Sequence, residues 1–248
     1  MKRQEKTDKK MNEMLYGAHP IIEMLKAGKR KLVSIYTTKP LPKSWMRIEK
    51  YLPKNIQNIQ YVERGVLDRM AGSIEHQSIL AWVTPFKFHE KMFDPKKNPC
   101  ILMLDSVQDV RNLGAILRSA YCTGVTGVIL CRSETASLTP AAFKASAGLA
   151  EHLDIYYAAS MQHAAQEAKK AGYTLYLAVL NGGKNALEVP FERPACLVIG
   201  NEASGIQPSL RKEGHLITLP QLRADISFNA SVAAGILLFL LVNKSESI

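Results

Sequence analysis

Cysteine is scarce in this chain, with four in 248 residues, at positions 100, 122, 131 and 196. None forms a Cys-x-x-Cys pair, and none stands at zinc-ligand spacing from a histidine, which excludes a zinc module or a disulfide scaffold. Three of the four lie in apolar runs and read as small buried hydrophobes. Long apolar runs are missing too. The longest, residues 232–242, has eleven residues, whereas a membrane span needs about twenty. No secretory leader is expected, since residues 1–10 carry five basic and two acidic side chains, with no apolar stretch behind them. Fingerprints of common chemistry are absent as well: no Gly-x-Gly-x-x-Gly after a strand, no P-loop, no His-Glu-x-x-His and no Gly-x-Ser-x-Gly. The six histidines (19, 76, 89, 152, 163, 215) form no local ligand set. These absences lead to the expectation of a soluble, cytoplasmic protein without a membrane partner or a metal.

Acidic residues are the other shortage. There are 22 against 32 basic ones, a net charge of +10. Such an excess points to a polyanionic partner such as nucleic acid. Apolar residues make up 47%, enough for a core, and the length suits one or two domains. The pattern predicts four parts. Residues 1–10 form a disordered basic arm. Residues 11–86 form a small α/β unit, with helical spacing at 17–27, 44–52 and 65–71 and strands at 31–37, 56–62 and 78–84. Residues 87–99, rich in Lys and Pro and without period, read as a linker. Residues 100–246 alternate strands (100–104, 125–131, 153–157, 174–180, 195–199, 216–219) with helices (113–123, 141–150, 161–171, 231–242). Near-continuous apolar strands between helices predict an α/β fold with a parallel sheet covered on both faces.

Ligands of open α/β sheets bind at the carboxyl ends of strands, and polar residues cluster at three such ends. In the first segment, Asp109-Val110-Arg111-Asn112 leads into a helix whose apolar stripe is Leu113, Ile116, Leu117, Ala120 and Tyr121. Asn112 is placed to cap it. Arg118 lies just off the stripe, either as a snorkelling arginine or as a site residue. In the second, Gly200-Asn201-Glu202-Ala203-Ser204-Gly205 is a glycine-bracketed acidic turn, read either as a tight turn with a solvated acid or as a ligand contact. In the third, Ser227, Asn229 and Ser231 stand at a helix start, as caps or as donors to a ligand.

In this order and spacing, the three segments resemble motifs 1, 2 and 3 of the SpoU (TrmH-like) RNA ribose methyltransferases of the SPOUT class. Tyr16-Gly-Ala-His-Pro20 and His76-Gln-Ser-Ile-Leu-Ala81 are similar to landmarks of the ribosomal-protein-like RNA-binding domain that precedes the catalytic domain in many members. The RlmB-like subgroup, which methylates a guanosine of large-subunit (23S) ribosomal RNA, is the nearest match. The resemblance implies a C-terminal sheet threaded into a deep trefoil knot, S-adenosylmethionine held by Gly200, Leu219 and Phe228 with the neighbouring loops, and a homodimer packed through knot-side helices. It assigns Asn112 and Arg118 to motif 1, Glu202 to motif 2, and Ser227 and Asn229 to motif 3.

The implied reaction is methylation of a ribose 2′-oxygen. Arg118 is the family's proposed proton acceptor, a role that fits poorly with a guanidinium, which holds its proton throughout the physiological range. A clamp on the target phosphate that also stabilises the developing alkoxide suits it better. Asn112, Ser227 and Asn229 would position ribose, loops and cofactor, and Glu202 would fix Arg118 or Asn112. Lys26, Lys29, Arg30 and Lys31 suit phosphate contacts. The motifs also depart from the family pattern. Val110 replaces the motif 1 proline, Phe228 replaces a leucine, and residues 221–226 form a bulkier loop. Two other functions remain open: a transfer-RNA 2′-O-methyltransferase and a non-catalytic ribosome-assembly factor.

Overall fold

The computed structural model describes residues 12–246 apart from 55, 57, 132–134 and 224–226. The basic arm at 1–10 and part of the 221–226 loop lie outside the described residues. The chain divides into two units, residues 1–87 and 88–248.

The first unit runs β1 (Glu13–Tyr16), α1 (Ala18–Ala27), β2 (Leu32–Thr37), α2 (Trp45–Glu49), β3 (Ile59–Tyr61), α3 (Arg64–Ala71) and β4 (Ile79–Val83). Its sheet has the order β1-β4-β2-β3, with β2 and β3 parallel and the other pairs antiparallel. β1 went unread in the sequence. It pairs Tyr16 with Leu80, so the two N-terminal landmarks are one structural joint. The Gly17 amide donates to the Ile79 carbonyl at 3.0 Å, and the Ala18 amide donates to Gln77 Oε1 at 3.1 Å. His76 is buried. Its Nδ1 accepts from the Ser78 amide and its Nε2 meets Asp68 at 2.6 Å, so it braces the turn into β4. α1 buries Ala18, Ile21, Ile22 and Met24, with Met24 rather than Leu25 completing the stripe.

The second unit contains β5 (Cys100–Leu104), α4 (Val110–Cys122), β6 (Gly127–Cys131), α5 (Pro140–Ala145), β7 (Asp154–Ala158), α6 (Met161–Lys170), β8 (Thr174–Ala178), β9 (Lys184–Asn185), β10 (Phe191–Glu192), β11 (Ala195–Ile199), β12 (His215–Thr218), α7 (Ala230–Asn243) and β13 (Ser245–Glu246). Seven strands form one sheet of order β7-β6-β5-β11-β8-β12-β9, and every pairing is parallel. β10 and β13 form a small parallel pair of their own. Alternate strand residues point to opposite faces, and both sets are buried. Ile101, Met103, Ile129, Cys196 and Val198 pack with Ala164, Ala165 and Ala168 of α6, while Leu102, Leu130 and Leu197 are equally inaccessible. That double burial is why these strands read as unbroken apolar runs. α7 lies against α4 and β11.

Three expectations need correction. The segment 87–99, read as a linker, is largely packed onto the second unit. Phe93 is buried, the His89 amide donates to the Ile155 carbonyl, and the Tyr173 hydroxyl donates to the Asn98 carbonyl at 2.8 Å. Isolated anchors of this kind leave no period to read. The helix expected over 141–150 stops at Ala145, because Ala147 and Gly148 take positive φ values of 55° and 85°. A short 3₁₀ turn, Leu149–His152, follows. Tyr121, placed on the buried stripe of α4, is 38% exposed and packs its ring on His152. Cys100, Cys131 and Cys196 are buried while Cys122 is exposed. Burial pushes the Cys196 thiol far above its ordinary pKa.

Candidate active site

The parallel order brings the carboxyl ends of β5, β11, β8 and β12 together, and three of them carry the motif segments. At the first, α4 begins one residue after Asp109. That carboxylate accepts from the amides of Arg111 at 2.6 Å and Asn112 at 3.3 Å. Asp109 is therefore the N-cap, which corrects the capping role expected of Asn112. Asn112 instead sits in the first turn with its side-chain amide free to bond elsewhere. Its Nδ2 donates to Glu202 Oε1 at 2.8 Å, and its Oδ1 accepts from Asn229 Nδ2 at 3.2 Å. Asn229 caps α7 with its own Oδ1, accepting from the Ser231 amide at 2.9 Å and from the Ser231 hydroxyl at 2.6 Å. One continuous chain, Glu202–Asn112–Asn229–Ser231, thus joins all three segments.

A second lock lies beneath it. Asp105 is fully buried at the end of β5. Its carboxylate accepts from the Gln207 amide at 2.8 Å, from Gln207 Nε2 at 2.9 Å and from the Ser106 hydroxyl at 3.1 Å. Asn201 Nδ2 donates to the Ser106 carbonyl at 2.8 Å, and Asn201 Oδ1 accepts from the amides of Ala203 and Ser204. Ser106 adopts φ 63°, a costly conformation for a non-glycine residue, held here by these bonds. Sequence reasoning passed over Asp105, Asn201 and Gln207. The available signal was an acid standing directly after an apolar strand. Asp105→Ala is expected to lower the unfolding free energy by about 2 kcal/mol, because it removes the buried acceptor of two bonds from half-buried Gln207 and one from the Ser106 hydroxyl. Urea unfolding checks this, and a midpoint equal to that of the native chain would show that the carboxylate is not the lock.

The glycines of the acidic turn serve the turn itself. A Cβ on Gly200 would lie 2.4 Å from the carbonyl carbon of Gly205 and 2.5 Å from the Ile206 nitrogen. What presses on Gly200 is therefore the chain's own backbone. The Asn201 and Gly205 amides and carbonyls pair reciprocally across it.

Between these loops opens a cleft of about 310 Å³, within the usual range for small-ligand sites of about 300–1,000 Å³. Gly200, Glu202, Leu219, Ser227 and Phe228 all line it. Leu180, Ala233 and Leu237 are apolar lining, and Asn201, Ser204, Gln221 and Arg211 are polar lining. Arg211 had no place in the sequence reading. It donates from Nε to the Ile206 carbonyl at 3.2 Å. Arg118 is not gathered in. It is exposed, and among the described residues it forms no hydrogen bond or ion pair. Six residues along a helix turn it about 120° away from Asn112 and about 9 Å along the axis. Glu202 accordingly fixes Asn112, the second of the two partners considered for it. Among the described residues, no group of three or more His, Cys, Asp or Glu side chains is disposed to hold a metal ion.

A fully parallel sheet with a ligand-sized cleft and a polar chain at its strand ends defines a small-ligand-binding α/β protein carrying a separate small α/β unit. The SpoU rRNA Methylase family model matches residues 99–239. A model described as RNA 2'-O ribose methyltransferase substrate binding matches residues 14–89. The chain belongs to the SpoU rRNA methylase family. It is 32% identical over 253 residues to the 23S rRNA (guanosine-2'-O-)-methyltransferase RlmB of Pasteurella multocida, covering 94% of this chain and 99% of that one. It is 31% identical over 242 residues to an uncharacterized tRNA/rRNA methyltransferase of Synechocystis, covering 92% of this chain and 61% of the relative's length. Among solved structures, an AdoMet-bound rRNA methyltransferase from Sinorhizobium meliloti superposes with a TM-score of 0.78 at 23% identity, over 94% of this chain and 88% of that one.

Proposed function

We propose that this protein methylates a ribose 2′-oxygen of RNA, using S-adenosylmethionine, and that its target is a guanosine of 23S ribosomal RNA. The observation that carries the reading is the Glu202–Asn112–Asn229 chain, which reaches the cleft through Glu202. It ties three distant segments into one fixed surface where a ribose can be held. Family membership and the activity of the Pasteurella relative support this reaction and this base.

The cleft suits the cofactor by its chemistry. Leu219, Phe228 and Leu237 offer apolar surface for an adenine, and Glu202 and Arg211, which also line the cleft, match the charges of an amino acid end. S-adenosylmethionine bound there supplies an electrophilic methyl on a sulfonium. The remaining work falls to the chain. A ribose 2′-hydroxyl is a poor nucleophile, and its attack must be in line, so positioning is worth as much as basicity. Asn112, held from both sides, Ser227 and Asn229 position ribose and loop. Arg118, exposed and unengaged among the described residues on another side of α4 from Asn112, is placed to grip a phosphate of the bound RNA, and the 2′-oxygen loses its proton to a phosphate or to a water.

Three further features belong to the same reading. The C-terminal segment is threaded as a deep trefoil knot, a reading supported by family membership and tested by tracing residues 200–243 in an experimental map. The protein works as a homodimer. α7 is apolar all round, with Val232 and Phe239 49% and 59% exposed, and such a helix favours a covered position. A monomer mass in sedimentation equilibrium would remove this part. RNA as substrate supports a cytoplasmic place of work, and among the described residues no helix is long and apolar enough to cross a membrane.

The test is methyl transfer from tritiated S-adenosylmethionine to separate ribosomal and transfer RNA pools, followed by alkaline digestion. A 2′-O-methyl group blocks cleavage of its own linkage. Label in an alkali-resistant dinucleotide of large-subunit RNA, with guanosine at its 5′ side, is the expected result. Label in transfer RNA moves the target. RNA binding with no label in any pool, assembling particles included, sinks the enzymatic reading in favour of an assembly factor.

A further inference from the structure

The positive charge of the chain is not spread evenly. Residues 1–87 hold 17 Lys and Arg against eight Asp and Glu, while the rest of the chain holds 15 against 14. Almost the whole excess therefore sits on the first unit. Some of it is already spent. Arg30, expected among the phosphate contacts, is buried and bonds Glu13 at 2.8 Å and the Thr84 carbonyl at 2.7 Å, and Lys26 pairs with Glu23 at 2.8 Å.

Three other cations stand together elsewhere on this unit. β2 and β3 are parallel, so their carboxyl ends open side by side, and a cleft of about 860 Å³ lies there. Lys39, Lys43, Tyr61, Glu63 and Arg64 line it. Among the described residues, the three cations enter no ion pair. Tyr61 ends β3 and is 46% exposed, a large aromatic left in solvent. The Lys39 ammonium stands 4.3 Å from the centre of its ring.

An exposed ring beside unpaired cations is the combination that holds single-stranded nucleic acid, by base stacking on the ring and by phosphate contacts around it. We propose that this cleft seats an unpaired nucleotide of the substrate RNA, its base on Tyr61 and its flanking phosphates on Lys39, Lys43 and Arg64. The inference rests on the reading of the protein as an RNA methyltransferase and adds where on the first unit the RNA is gripped. Lys39 serves as a placeholder. Its flexible stem lets the ammonium leave the ring for a neighbouring phosphate when a base arrives. Glu63, a hydrogen-bond acceptor only, repels phosphate and favours a base edge carrying N–H donors. A double helix offers neither an exposed base face nor a splayed edge, so duplex RNA is the poorer ligand.

The experiment uses the full chain and a fluorescein-labelled oligoadenylate of about twelve nucleotides, a length that spans a usual single-strand site. Tyr61→Ala is expected to weaken binding about tenfold, while Tyr61→Phe, which keeps the stacking face, stays within twofold of the native chain. Lys39→Gln is expected to flatten the dependence of log affinity on log salt by about 0.7, the increment of one phosphate contact on a single strand. Equal affinity of Tyr61→Ala and the native chain overturns the proposal. So does a loss in Tyr61→Phe as large as in Tyr61→Ala, or tighter binding of a duplex of the same length. The variants are also tested for S-adenosylmethionine affinity and thermal midpoint, neither of which a surface ring on the first unit is expected to move. Native activity with RNA affinity indifferent to Tyr61 defeats this inference alone. Absence of methyl transfer by the native chain defeats the underlying reading.

Discussion

Asn229→Ala is expected to lower kcat for methyl transfer about a hundredfold and to cost a few degrees of thermal midpoint. Two bonds made by one side chain account for the two effects. Its Oδ1 caps α7 by accepting from Ser231, and losing such a cap costs about 1 kcal/mol, or roughly 2–4 °C in a chain of this size. Its Nδ2 donates to Asn112, which aims Asn112 and, through it, Glu202. A displacement near 1 Å in a positioning surface costs about a hundredfold in rate. Asn229→Asp separates the two roles. The carboxylate still caps the helix but cannot donate, and it sets a second acceptor against Asn112 Oδ1. Its melting temperature is expected to match the native chain while its kcat falls as far as that of Asn229→Ala. A kcat near native in Asn229→Asp would show that the Asn112 contact does not position the reacting groups.

Arg118→Ala is expected to reduce kcat/KM for RNA by about ten- to a hundredfold, the usual loss when one charge-assisted contact to phosphate is removed. Stability and S-adenosylmethionine affinity should hold, since Arg118 is exposed and holds no other described residue in place. Arg118→Lys should recover only part of the rate, because an ammonium keeps the charge but not the two-pronged grip on a phosphate. Arg211 is the competing cation, since it already lines the cleft. If Arg118→Ala turns over like the native chain and Arg211→Ala does not, the phosphate clamp belongs to Arg211.

Burial on both faces wrote itself into the sequence. The runs at 100–104 and 195–199 are apolar at every position, and they are β5 and β11 to the residue. Polar residues after strands likewise marked the three loops, and Asn112, Glu202 and Asn229 do meet. What escaped was order and direction. Nothing in the spacing says that β11 lies between β5 and β8, because parallel neighbours need not be neighbours along the chain. Asp109 and Asn112 are both good caps, and only the position of the first helical turn decides between them. Arg118 and Asn112 share a motif, yet helical rotation sends them to different sides of α4. Asp105 looked like the end of a strand, and its partner Gln207 stands 102 residues away. The packing of 88–99 rests on isolated anchors such as Phe93, which carry no period.

The chain that ties the three motif segments joins Asn112 to partners 90 and 117 residues further along. Contacts of such separation form late and slowly, because a long loop must close before any bond offsets its cost. During synthesis Asn112 emerges from the ribosome long before Glu202, and Glu202 before Asn229. A chain stopped short of residue 229 carries two of its three motifs and a helix with nothing to hold its asparagine. Affinity for the methyl donor should therefore appear abruptly, once α7 is made, so that cofactor binding dates the moment at which the third motif joins the other two.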